Sequence, residues 1–173
     1  MIYKIIEDIN KAIENEAYLS ALSLLLTLPD ICGQAEFGGR VGDRYKKWVN
    51  KYITPFEKTD DEDEDEDKND FSYINGEMLY NLRCNVLHQG TPDIDGESNN
   101  VKMPSKFVII ASKPNKYGVY ADLTYKDECD KDYTYVVNLN RLYILITQNA
   151  ISCYEKNTEA FSFMRKEILT IKK

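Results

Sequence analysis

The stretch YNLRCNVLHQG, Tyr80 to Gly90, holds the only histidine of the chain, His88, five residues after Arg83. An imidazole exchanges protons near neutral pH, whereas a guanidinium stays charged and can hold two phosphate oxygens at once. Such a pair suits cleavage of a phosphodiester without a metal. His88 would act as general acid or base, and Arg83 would stabilise the charge that builds on the phosphate. Spacing alone does not join them: five residues of an ideal helix turn through about 500° and rise about 7.5 Å, so the two side chains start about 140° apart. A long guanidinium can swing back over the last turn, and two copies of the helix could also enclose one pocket. Tyr80 and Asn85 each lie three residues from a member of the pair, within helical reach as supporting groups.

Other readings compete for the same residues. Histidine in a last helical turn is favourable whatever its chemistry, because a cation there meets the negative end of the helix dipole. Cys84 and His88, four apart, share a face and could form a nucleophile and base, but no orienting acid is evident. Cys32, in LPDICG, reads as a buried apolar residue near a helix end. One histidine with scattered Cys and Asp offers no zinc spacing, and the acidic run lacks the glycine of a calcium loop, so no metal and no cofactor is expected.

The elements that must position the pair follow from periodicity. Ile2, Ile5, Ile6, Ile9 and Ile13 predict an amphipathic helix over 2–15, and YLSALSLLLTLP predicts a buried helix over 18–28 that Pro29 helps to end. FGGRVG is a turn. Tyr45, Trp48, Val49 and Tyr52 mark a helix over 41–53, closed by Pro55. Its cations Arg44, Lys47 and Lys51, beside aromatic rings, form the best candidate nucleic-acid surface, although an aromatic stripe at helical spacing is more often core. The helix of the opening stretch spans 76–89, with Asn75 as N-cap, Met78, Leu79, Leu82 and Val86 as its buried stripe, and Gly90 as its stop.

KFVIIAS, YGVYADLTY and DYTYVVNL are rich in β-branched and aromatic residues and read as a three-stranded antiparallel β-meander inserted at about 104–137. Helical spacing returns over 138–156 and 158–171. The expected fold is mainly α, a helical bundle with that small inserted sheet, in one domain over 1–173.

Ten acids and two lysines fall between Glu57 and Asp70, a local charge of −8, so of the formal charge of −7 the remaining residues together sum to +1. That segment, about 57–70, reads as a solvated acidic loop, and the near-neutral remainder does not exclude an anionic partner. The charged amphipathic start is not a signal peptide, and no run of about 18 apolar residues spans a membrane. Without a Cys-x-x-Cys pair, the four cysteines fit reduced thiols in a cytoplasmic protein.

RCNVLH resembles the Arg-x4–6-His motif of HEPN domains, α-helical proteins many of which are metal-independent endoribonucleases of toxin and defence systems. The resemblance covers the arginine–histidine helix and the helical layout, not the sheet or the acidic loop. It implies Arg83 and His88 as catalytic residues, RNA as substrate, a homodimer that brings two motifs together, and an antitoxin or other protein partner. Here Cys84 follows the arginine directly, where many active motifs carry a polar residue, and Asn85 comes one place later. The alternatives are a noncatalytic helical binding or dimeric assembly module and, further off, an acidic decoy that mimics nucleic acid.

Overall fold

The computed structural model of the chain describes residues 1–57, 73–90, 104, 106–111, 123–126 and 133–164. Helix α1 spans Ile2–Glu14 and buries Ile2, Ile6 and Ile9 on one face. Burial of an isoleucine side chain contributes about 1.5–3 kcal/mol. The exposed pairs that Glu7 makes with Lys4 and Lys11 add little by comparison, so packing rather than charge holds this helix.

The apolar run after it divides in two. Helix α2 spans Tyr18–Leu25 and α3 spans Leu28–Glu36, with Leu25, Leu26 and Leu28 all fully buried. The expectation of one helix ended by Pro29 is corrected here: Pro29 lies in the first turn of α3, where a missing N–H leaves no intrahelical bond unmade. Helix α4, Val41–Tyr52, buries Tyr45, Trp48 and Val49, and a short 3-10 turn follows at Thr54–Phe56. Helix α5, Gly76–His88, begins at Asn75, whose side chain accepts a hydrogen bond from the Met78 amide at 3.0 Å. Just past its end, Gly90 takes φ 70°, a left-handed conformation that suits glycine after a helix.

Two glycines set how closely these helices approach. A Cβ on Gly33 of α3 would lie 2.7 Å from the Arg44 carbonyl oxygen, and one on Gly76 of α5 would lie 2.6 Å from that of Lys46. Both obstacles are α4 backbone, so α4 is gripped from two sides at distances that only glycine permits. The Gly76 amide also donates to Asn50 Oδ1 at 2.7 Å.

Strands β1, Lys106–Ile110, β2, Leu123–Lys126, and β3, Tyr133–Asn138, form one sheet in the order β1-β3-β2. This corrects the antiparallel meander. β2 pairs antiparallel with β3, but β1 pairs parallel with β3, Phe107 opposite Tyr135 and Ile109 opposite Val137. The burial pattern supplies the reason. Residues 134–138 are buried without alternation, as a strand covered on both faces must be, so β3 takes the centre and the earlier strand is left to its free edge.

Helix α6, Leu139–Lys156, starts where β3 stops, and Asn138 serves as both last strand residue and helix cap, accepting from the Asn140 and Arg141 amides. The helix expected over 158–171 opens as a 3-10 turn at Thr158–Phe161, and residues beyond 164 lie outside the described residues. So does the acidic run over 58–70. The first acid of the loop expected over 57–70 is described and departs from the solvated reading: Glu57, its side chain 4% exposed, accepts from Arg141 Nε at 2.9 Å. Burial pushes its carboxyl above the ordinary range, opposed by the Arg141 charge.

Gly33→Ala and Gly76→Ala are each expected to cost about 1–3 kcal/mol of stability, because an added methyl forces α4 backbone apart. Urea unfolding should show a lower midpoint at an unchanged slope. An unaltered midpoint in both variants would mean that the helices do not meet this closely.

Candidate functional site

Arg83 and His88 converge. Arg83 Nη1 lies 3.2 Å from His88 Nε2 across the last turn of α5, so the guanidinium does reach back over the angle that the helix puts between them. A guanidinium carries only donors, so Nε2 accepts and the imidazole proton is assigned to Nδ1 in this state. The imidazole is exposed at the helix end, and the arginine side chain is only 18% exposed.

What holds the arginine comes from other helices. Asp30, in the first turn of α3, accepts from Arg44 Nε of α4 at 2.8 Å through Oδ1. Its second oxygen, Oδ2, stands 3.9 Å from Arg83 Nη2, an ion pair at longer range than a hydrogen bond. Arg44 Nη1 also donates to the Gly39 carbonyl at 3.3 Å. One carboxylate thus lies between two guanidiniums, leaving a net positive charge beside the exposed imidazole. Asp30 is favoured at this position in any case, because a carboxylate in the first helical turn meets the positive end of the dipole.

Two polar atoms here are buried without a partner among the described residues, Arg83 Nε and the Tyr45 hydroxyl. Burial pushes the Tyr45 phenol well above its ordinary value, against the pull of Arg83, and keeps it protonated. Tyr80, expected as a supporting residue, packs against Tyr45 with ring centroids 5.4 Å apart and the rings tilted by 60°, and Lys46 Nζ sits 5.2 Å from its ring centroid. Its phenol is raised too, first by burial and then by neighbouring Cys84. Tyr80 therefore borders the arginine from the α4 side. Asn85 is half-buried on α5, and its carbonyl accepts from the Gln89 amide at 2.9 Å.

The three cations considered for nucleic acid part company. Arg44 turns inward to Asp30, Lys51 pairs with Glu36, and Lys47 is exposed. The rings of Tyr45 and Trp48 are core, leaving no exposed stacking face on them. The Cys84 sulfur stands 4.0 Å from Arg83 Nη1. A cavity of about 180 Å³ opens on the other, apolar side of α5, against Leu22, Val86 and Ile109, and neither Arg83 nor His88 lines it.

Asp30 was not singled out from sequence, since no local spacing links it to Arg83. The same holds for Cys153 of α6, which meets Cys32 of α3. The hydrogen bond from Cys32 holds the Cys153 thiol below the usual range, at about 7, and the contact together with burial pushes Cys32 up. Cys32 is fully buried, as its sequence context suggests.

No family model, curated protein or solved structure matches the chain. Among the described residues, no helix is long and apolar enough to cross a membrane.

Because only the thiolate is nucleophilic, alkylation of Cys153 by iodoacetamide should accelerate as pH rises, with a midpoint at about 7, while Cys32 reacts only on unfolding. Peptide mass spectrometry over a pH series reads both rates. A midpoint near the ordinary thiol value of about 8.5 would mean that the two sulfurs do not interact.

Proposed function

We propose that the chain is a HEPN-like, metal-independent endoribonuclease with Arg83 and His88 as its catalytic pair. The observation that carries this reading is the 3.2 Å approach of a buried-stemmed guanidinium to an exposed imidazole. Without substrate, Arg83 occupies the Nε2 lone pair. A phosphodiester oxygen is a stronger acceptor for a guanidinium than a neutral imidazole is, so an incoming phosphate takes over the Nη1 donor and frees the lone pair while the guanidinium stays beside His88. His88 then takes the proton of the ribose 2′-hydroxyl as the 2′-oxygen bonds to phosphorus. The bond from phosphorus to the 5′-oxygen breaks, and that oxygen leaves with a proton from a second donor. In a homodimer, His88 of the partner subunit is that donor. Arg83 meanwhile stabilises the extra charge on the phosphate.

The net positive charge of the Asp30, Arg44 and Arg83 cluster supports an anionic substrate although the whole chain is acidic, because fields at this distance are set by near neighbours.

Purified protein incubated with RNA in excess chelator should give products ending in 2′,3′-cyclic phosphate and 5′-hydroxyl. His88→Ala is expected to lower the rate by about 10²–10⁴-fold, the range of general acid–base catalysis. Arg83→Ala is expected to lower it by about 10²–10³-fold, the loss seen when one charge-stabilising donor is removed. Intact RNA across many substrates, from folded protein, would instead favour a noncatalytic binding or assembly module built on the same helix.

A further inference from the structure

We propose that Asp30 is a positioning residue of this site, holding Arg83 in the conformer that meets His88. The inference rests on the Arg83 and His88 reading above for its catalytic consequence, but not for its geometry.

Three observations converge on it. Left to helical geometry, Arg83 and His88 diverge, and an exposed arginine has no reason to choose the rotamer that closes the gap. Arg83 is not exposed: its stem is buried beside Tyr45 and Tyr80, and its Nη2 faces Asp30 Oδ2 at 3.9 Å while Nη1 faces His88 Nε2 at 3.2 Å. The guanidinium plane is thus oriented by an acid on one side and presents its other edge to the imidazole. Asp30 is itself immobilised, because Arg44 Nε holds its other oxygen at 2.8 Å and Gly33, one turn along α3, seats that helix directly on the Arg44 backbone. The carboxylate does not touch the substrate position. It acts through Arg83.

The longer Asp30 to Arg83 distance matters for the chemistry. A tight bidentate pair would neutralise the arginine and compete with phosphate, whereas a loose one steers the guanidinium and leaves its donors available. Arg44 takes the strong hydrogen bond, and Arg83 keeps its charge for the site.

The single histidine supplies a direct probe. Its ring resonances in long-range proton–nitrogen NMR spectra report both the tautomer and the contact at Nε2. Arg83→Ala should displace them, and Asp30→Asn should displace them in the same direction, because the amide still accepts from Arg44 but no longer attracts Arg83. Asp30→Ser, whose hydroxyl is tolerated in a first helical turn, provides the same test if the Asn variant fails to fold. Asp30→Glu, which restores the charge, should return the resonances toward their original positions. On RNA, Asp30→Asn should lower kcat by roughly 100-fold, the effect of a misplaced catalytic group, with KM close to that of the unsubstituted protein. Ring resonances unchanged in a folded Asp30 variant would overturn the proposal, as would their insensitivity to Arg83→Ala. A protein that shows the NMR displacements yet cleaves no RNA would retain the positioning role and lose the nuclease.

Discussion

The arrangement depends on α4 lying against α3 and α5 at backbone contact distance. Gly33 and Gly76 make this possible, since a methyl at either place would collide with an α4 carbonyl. With ordinary side chains there, the helices would stand at the usual 8–10 Å, and residues reaching across from each would fall short of one another. Instead Asp30, Arg44 and Arg83, from three helices, come within one ion-pair network. The same closeness buries Tyr45, Trp48 and Val49, the apolar stripe of α4, and leaves its cations to the periphery.

Charge within that network is distributed unequally, and the inequality gives it chemical capacity. Two guanidiniums share one carboxylate, but Arg44 has the short hydrogen bond and Arg83 only the longer attraction. Arg83 consequently keeps much of its charge beside an exposed imidazole. Burying an arginine that is incompletely paired costs stability, as does leaving the Tyr45 hydroxyl without a partner.

The sheet is tied to the helices by residues that serve two elements at once. Asn138 ends β3 and caps α6, so the direction of the central strand dictates where α6 begins. Arg141, in the first turn of α6, reaches Glu57 and the Phe56 carbonyl just after α4, binding two parts of the chain that lie far apart in sequence. Phe107 and Tyr135, neighbours across the parallel pair, meet edge to face at 6.0 Å and carry the sheet into the common core.

Local spacing in the sequence determined what depends on near neighbours alone. The amphipathic face of α1, the Asn75 cap, the Gly90 stop and the buried stripe of α5 all follow from residues within a turn or two, whereas the convergence of Arg83 on His88 does not. Pro29 shows the boundary of that reading, since the same residue can end one helix or open the next, and here it opens α3. Tertiary structure alone settled the rest. Strand identity could be read from β-branched and aromatic runs, but strand order could not, because which strands pair is set by contacts between segments far apart in the chain. Asp30 was invisible beside Arg83 for a similar reason: more than fifty residues separate them, and their meeting depends on two glycines that let three helices close on one another.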